Sequence, residues 1–250
     1  MIVRWGVVAV SLCLVGGCAG GGSDGRDRDP ANRPGYVRPD ATTTAAAAAH
    51  RVRGGDGSGA PATFALVNGS DVVRVRLGDL GGDLFEVATP QGARIAPAVS
   101  VDGDDVVAGL RDTGEAGPAV VTVVLSSSVR WQVRLAGGAA DETVDLTGGP
   151  GGEVDLSSGT SRAAVALPAG RGTQRVVMSG GAGQLSVRLG GSAPARVAAR
   201  GGAGSVTVDG ATHSGVAGGS VWTPAGWESA TDRYDIDATA GVSTMTVERV

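Results

Sequence analysis

A repeat of about 21 residues in the second half of the chain constrains the fold more than any other feature. Each unit opens with glycines and continues into a short strand of alternating apolar and polar residues. These strands lie at 143–146, 164–167, 185–189 and 205–208, and a further unit at 234–248 ends the chain. One unit cannot bury its apolar side alone, whereas stacked units share a core and pair their backbones. The spacing predicts an all-β fold, namely a parallel β-solenoid with coils of roughly 21 residues.

The composition fits narrow coils with small interiors. The chain has 44 glycines and only 3% aromatic residues, and glycine suits corners where backbones turn or approach closely. Alternating segments begin soon after residue 60, so the solenoid is predicted over 62–250, with a loop insertion at about 211–232. An antiparallel sandwich of short strands is the alternative that the same alternation allows.

Residues 1–17 have the layout of a bacterial lipoprotein signal peptide. Arg4 precedes an apolar stretch that is too short to span a bilayer, and small residues lead directly to Cys18. We expect cleavage before Cys18 and lipid on its thiol, since two acyl chains anchor a protein stably. The predicted location is the extracytoplasmic face of the cell membrane.

The segment 18–61 carries the lipidated cysteine and is predicted to be a flexible, disordered tether. It is rich in glycine, proline, alanine and charged residues, and it offers little apolar surface to bury. The tether would hold the domain clear of the membrane.

Charge and residue counts exclude several classes of function. The formal net charge is -4, and acidic and basic residues are interspersed, so nucleic acid is not an expected partner. The two histidines, His50 and His213, have no cysteine partners beside them for a zinc site. We predict no catalytic constellation, no metal and no cofactor.

An enzyme that acts on polysaccharides is a weaker alternative, because parallel β-helices also host such enzymes. That reaction would need converging carboxylates or an arginine beside a cation. Asp145, Asp155 and Arg188 are candidates, but nothing in the sequence distinguishes them from ordinary exposed strand positions.

The insertion at 211–232 is the strongest functional lead in the sequence. It interrupts the repeat and contains Trp222 and Trp227, half of the four tryptophans in an aromatic-poor chain, together with His213. Exposed tryptophan could stack on a glycan or hold a protein. The same residues could instead fold back and cap the stack, and the sequence leaves both interpretations open.

Several segments resemble an adhesin-type bacterial β-solenoid family of unknown function. They are VRWQVRLAGG at 129–138, ALP at 166–168, SGGA at 179–182, ARGGAGSV at 199–206, DRYDID at 232–237 and AGV at 240–242. This family is related to the C-terminal domains of cell-wall-antibiotic-response proteins, and the resemblance extends to surface proteins of actinobacteria. The resemblance covers about 63–250 and implies the fold, but it carries over no catalytic residues.

These features together predict a membrane-anchored, non-catalytic structural or adhesive domain. Its expected partners are the membrane, through lipid on Cys18, and a cell-wall polymer or envelope protein. The resemblance also implies an alternative, a sensory or regulatory module of the envelope stress response.

Overall fold

The strands form two sheets, and in most strands buried side chains alternate with exposed ones. The computed structural model describes residues 49–250, and every regular element in that range is a β-strand. Sheet A contains β1 (Arg51–Asp56), β3 (Val72–Gly78), β4 (Asp83–Ala88), β7 (Val120–Ser126), β9 (Ala139–Asp145), β11 (Thr160–Leu167), β13 (Ala182–Leu189), β15 (Ala203–Val208), β16 (Ala211–Val216) and β19 (Val242–Arg249). Sheet B contains β2 (Ala62–Leu66), β5 (Ile95–Asp102), β6 (Asp105–Asp112), β8 (Trp131–Leu135), β10 (Gly152–Leu156), β12 (Thr173–Met178), β14 (Ala195–Ala199), β17 (Ser220–Trp222) and β18 (Arg233–Ala238).

The prediction of an all-β fold is confirmed, and most strand pairs are parallel. From β8 to β13, successive strands alternate between sheet B and sheet A. In sheet A, Thr160 pairs with Ala139 on one side and with Ala182 on the other, which reproduces the repeat seen in the sequence. The antiparallel alternative is therefore wrong for the repeat region.

The core lies between the two sheets and consists mostly of Val, Leu and Ala. Val144, Val165, Val187 and Val247 occupy one inward row across four neighbouring strands of sheet A, and each is almost fully buried. Glycines permit close contact between neighbouring units, since a Cβ at Gly180 would overlap the backbone of an adjacent segment. The low aromatic content follows from this narrow interior.

The two ends of the chain do not stack in sequence order. The pair β18–β19 lies between β12–β13 and β14–β15, and the pair β2–β3 lies between β6–β7 and β8–β9. The expectation that successive windings lie side by side is wrong at these two places. Insertion gives β2, β3, β18 and β19 hydrogen-bonding partners on both sides, so that none of these four strands forms an open edge.

The sheets are mixed because antiparallel strands lie at their edges. At one end, β1 and β4 join sheet A and β5 joins sheet B. At the other end, β16 joins sheet A and β17 joins sheet B. The prediction of parallel pairing throughout 62–250 is therefore wrong at the edges of both sheets. Antiparallel edge strands cover the ends of the core and limit further pairing.

The folded part also begins earlier than predicted. The strand β1 lies within the segment 18–61 that was expected to be flexible, and it pairs with β4 from Arg51 opposite Ala88 to Asp56 opposite Asp83. Alternation in the short sequence RVRGGD supplies this strand, with Val52 packed against the core. Residues 1–17 and Cys18 lie outside the described residues. Within 49–250, no helix is long and apolar enough to cross a membrane.

Candidate functional site

The insertion at 211–232 contains two strands that extend the sheets. β16 pairs antiparallel with β15, and β17 pairs antiparallel with β14. These two strands form one edge of sheet A and one edge of sheet B. The insertion thus adds a strand to each sheet at the same end of the molecule.

Trp227 packs within the fold. Its side chain is buried, and its indole Nε1 donates a hydrogen bond to the carbonyl oxygen of Tyr234 at 2.7 Å. The guanidinium carbons of Arg196 and Arg233 lie 4.4 and 4.8 Å from the centre of the indole ring. These contacts fix Trp227 against β14 and β18 and leave little of it accessible to a partner.

Two buried carboxylates secure β18 beside Trp227. Asp235 accepts hydrogen bonds from Nε and Nη2 of Arg196 at 2.9 and 2.8 Å, and Asp237 accepts hydrogen bonds from Nε of Arg200 at 3.0 and 2.8 Å. The contact with Asp237 raises the pKa of Arg200. The pair of Arg196 and Asp235 is bidentate, which gives geometric specificity as well as attraction, whereas Arg200 shares its single Nε–H between the two oxygens of Asp237. Both acids serve the packing of β14 on β18.

Trp222 and His213 form an aromatic pair that joins the two edge strands. Their ring centres are 5.1 Å apart and the ring planes are tilted by 33°. His213 is exposed on β16, while Trp222 on β17 is partly buried against the core. The pair connects the last strand of sheet A with the last strand of sheet B.

A cleft of about 660 Å³ opens beside Trp222. Its walls come from the β13–β14 connection, the ends of β15 and β19, and the residues that follow β17. The lining residues are Ser192, Pro194, Ala195, Val208, Asp209, Val221, Trp222, Thr223, Pro224 and Arg249. Its volume is within the range of about 300–1,000 Å³ typical of small-molecule sites, and we call it the terminal cleft.

Arg249 and Asp209 supply the charged groups of the terminal cleft. Nη1 of Arg249 donates hydrogen bonds to the carbonyl oxygens of Gly191 and Ala193 at 3.2 and 2.9 Å. Its Nε lies 3.5 Å from Oδ2 of Asp209. The guanidinium is therefore held in place by the backbone, and both charged side chains remain partly exposed.

A tight hairpin turn places Asp209 at the cleft. Val208 pairs with Ala211 across the turn, and the two residues between them have positive φ, 46° at Asp209 and 85° at Gly210. Two central residues with positive φ define a type I′ turn, for which Asp-Gly is a preferred sequence. The turn thus explains why Asp209 adopts a conformation that residues other than glycine seldom take.

The candidates for polysaccharide chemistry are not brought together. Asp145 on sheet A accepts hydrogen bonds from the backbone nitrogen and hydroxyl of Thr147 at 2.9 and 2.6 Å. Asp155 is on sheet B, 3.6 Å from Arg134, and Arg188 is 3.3 Å from Glu248. Among residues 49–250, no group of three or more His, Cys, Asp or Glu side chains is arranged to hold a metal ion.

One titratable group of the interior was missed in the sequence. Glu142 on β9 is 2% exposed, and neither of its carboxyl oxygens has a hydrogen-bond partner within the described chain. It lies between Val73 and Ala163 in an inward row, and burial raises its pKa to about 8. The signal was available, because alternation from the buried Val144 points residue 142 inward.

Comparisons with known proteins support the fold. No protein-family model matches the chain, and no curated protein matches it. A crystal structure described as a putative cell adhesion protein from Clostridium sporogenes aligns over 80% of this chain and 99% of its own, with 13% identity and a TM-score of 0.56. This likeness shows a shared fold.

Two further solved structures align with lower scores. They are described as putative adhesins, one from Bacteroides fragilis and one from Parabacteroides distasonis. The first aligns over 79% of this chain and 94% of its own, with 11% identity and a TM-score of 0.22. The second aligns over 80% and 95%, with 9% identity and a TM-score of 0.21. Neither score establishes a common fold.

Proposed function

We propose that this chain is a lipid-anchored extracytoplasmic protein whose β-domain is a non-catalytic adhesive module. The anchor is Cys18, supported by the signal-like sequence before it. The neighbour from Clostridium sporogenes, described as a putative cell adhesion protein, shares the fold and is compatible with the adhesive role. The expected partner is a polymer or protein of the cell envelope.

We also propose that the domain is a β-solenoid with irregular ends. A coil consists of one strand in sheet B followed by one strand in sheet A, as in β8–β9, β10–β11 and β12–β13. Neighbouring coils pair in parallel with a shift of one repeat. The irregular ends are the inserted terminal coils and the antiparallel edge strands.

The position of the terminal cleft is the observation that carries the adhesive proposal. The described chain enters sheet A at β1, on one edge, and the cleft lies at the ends of β15 and β19, near the opposite edge. β15 is the ninth strand of sheet A counted from β1, so eight spacings of about 4.8 Å separate the two strands, a distance of roughly 38 Å. A site this far from the start of the described chain leaves room for a large partner, as an adhesive contact requires.

The anchor is tested with the full-length chain and its Cys18→Ser variant expressed in a bacterial host. We expect the wild-type chain to remain in the membrane fraction after an alkaline carbonate wash and to incorporate labelled palmitate. The variant should do neither, because it lacks the thiol that carries the lipid. Equal membrane retention of both chains would reject Cys18 as the anchor.

The adhesive role is tested by sedimentation of residues 18–250, made soluble by Cys18→Ser, with isolated bacterial cell envelopes. We expect saturable sedimentation that falls in the Asp209→Asn variant. The substitution keeps the hairpin, since Asn-Gly also favours a type I′ turn, so the loss would belong to the cleft. Glu248→Gln, near the cleft but outside its lining, is the matched control. Absence of sedimentation, or equal sedimentation of all three chains, would refute the proposal.

A further inference from the structure

We infer that the terminal cleft binds a neutral pyranose sugar, as the end or an exposed unit of a glycan chain. The inference rests on the proposed adhesive function and specifies the class of ligand. Three properties of the cleft support it: an apolar ring at its wall, a balanced pair of charges, and groups that are fixed before any ligand binds.

The apolar wall of the cleft is the indole of Trp222. His213 packs on this residue with ring centres 5.1 Å apart, which supports the indole in one orientation. A flat aromatic surface with limited side-chain freedom offers a large contact area at low entropic cost. The C–H face of a pyranose ring is flat and apolar enough to stack on such a surface.

The charged groups of the cleft are matched to hydroxyl groups. Asp209 accepts hydrogen bonds only, and Arg249 donates them only. Adjacent hydroxyls of a sugar can donate to a carboxylate and accept from a guanidinium at the same time. A sugar carboxylate would be attracted by Arg249 and repelled by Asp209, and an amino sugar would meet the reverse, so the balanced pair offers no net attraction to a charged sugar. A neutral sugar can use both groups through its hydroxyls.

The cleft is organised before binding. Two backbone carbonyls hold Nη1 of Arg249, and Nε faces Asp209. Within residues 49–250, Nη2 of Arg249 makes no hydrogen bond to the protein, so it is available to a ligand. The hairpin turn fixes the backbone of Asp209, and its carboxylate faces Arg249. Groups held in position lose little freedom on binding, which favours affinity for a small ligand.

The size and rim of the cleft agree with this class of ligand. A volume of about 660 Å³ accommodates a sugar ring with part of its neighbour. Hydroxyl groups of Ser192 and Thr223 stand in the lining and can pair with further sugar hydroxyls. A glycan can therefore enter end first, and the rest of its chain extends into solvent.

The test titrates residues 18–250, with Cys18→Ser, against methyl glycosides of glucose, galactose, mannose and N-acetylglucosamine, and follows binding by ligand-detected NMR and tryptophan fluorescence. We expect at least one of these sugars to bind and to shift the tryptophan emission. Affinity should fall about tenfold or more in Asp209→Asn and in Arg249→Gln, because each loses a charge-assisted hydrogen bond. Trp222→Phe should weaken binding less than Trp222→Ala. Glu248→Gln should bind as the unaltered chain does, and a cooperative thermal transition well above the assay temperature would show that each variant is folded.

The outcomes separate this inference from the function on which it rests. Binding of a sugar that is unchanged in Asp209→Asn and Arg249→Gln would overturn the assignment to the cleft. If none of the four glycosides binds but Asp209→Asn still abolishes sedimentation on envelopes, the assignment of a sugar ligand would be overturned. The adhesive role of the cleft would then stand, with a peptide or lipid-linked partner. Failure of both sedimentation and sugar binding would overturn both proposals.

Discussion

Glu142 places a carboxyl group without hydrogen-bond partners in an otherwise apolar part of the core. Its neighbours in the inward row of sheet A are aliphatic, and both carboxyl oxygens lack protein partners in the described chain. Burial of an ionised carboxylate without compensation is costly, so the group is kept protonated and its pKa rises to about 8. The stability of the fold should therefore depend on pH through this residue.

The pH dependence can be predicted with its sign. The pKa of Glu142 is about 8 in the folded chain and near its ordinary value of 4.5 when unfolded. Below about pH 4.5 the group is protonated in both states and costs nothing through ionisation. Between about pH 4.5 and 8 the folded state binds more protons than the unfolded state. The free energy of unfolding therefore falls as pH rises, by at most about 1.4 kcal/mol per pH unit.

Glu142→Gln removes this titration and is the matched variant. We expect the difference in free energy of unfolding, variant minus wild type, to grow from pH 4.5 to 8 and then to level off. Urea denaturation at a series of pH values measures it, and Glu153→Gln, on the other sheet, serves as an exposed control. Parallel curves for the Glu142→Gln variant and the wild type would mean that the carboxyl finds a partner or reaches water.

At the scale of elements, the two tryptophans of the insertion have different surroundings. Trp227 is buried, with its Nε1 hydrogen-bonded to Tyr234, whereas Trp222 is partly exposed at the cleft. The sequence could single out both, since tryptophan is scarce in this chain, but it could not separate them. Their burial depends on contacts with β14 and β18, and β18 comes from a later part of the chain.

Trp227→Ala should destabilise the domain by about 3–5 kcal/mol, because it opens a cavity and leaves the carbonyl of Tyr234 without its donor. Trp222→Ala should cost less, about 1–2 kcal/mol, since the indole is only partly buried. Thermal and urea unfolding of the two variants measures the difference. Equal losses would contradict the division between a packing tryptophan and a cleft tryptophan.

Local patterns predicted the strands but not all of their neighbours. Alternation and the 21-residue period located β9, β11, β13 and β15, together with β18 and β19, and indicated that they pair in parallel. They did not locate β10, β12 and β14, the sheet B strands between them. The same period fits any order of coils, so it could not reveal that β19 lies between β13 and β15. Asp209 and Arg249 escaped notice for this reason, because their meeting depends on that insertion.

At the scale of the molecule, the inserted C-terminal strands β18 and β19 join the strands that lie on either side of them in the two sheets. β18 hydrogen-bonds to β12 on one side and β14 on the other, and β19 likewise joins β13 and β15. In a repeat protein stacked in chain order, loss of the last coil removes one unit and one interface. Here the same loss removes two interfaces and separates β14–β17 from the remaining strands.

A chain truncated after residue 232 should therefore lose far more than one coil. We expect the cooperative thermal transition to disappear or the melting temperature to fall by tens of degrees. Without β18 and β19, the strands β14 and β15 beside the cleft lose their parallel partners, and inward residues of β13 such as Leu185 become exposed. The control is a chain that begins at residue 58 and so lacks only β1, an edge strand paired with β4 alone. It should melt cooperatively within about ten degrees of the intact domain. If the C-terminal truncation behaved like the control, the last coil would be an ordinary end unit, and the order of strands described for this domain would be wrong.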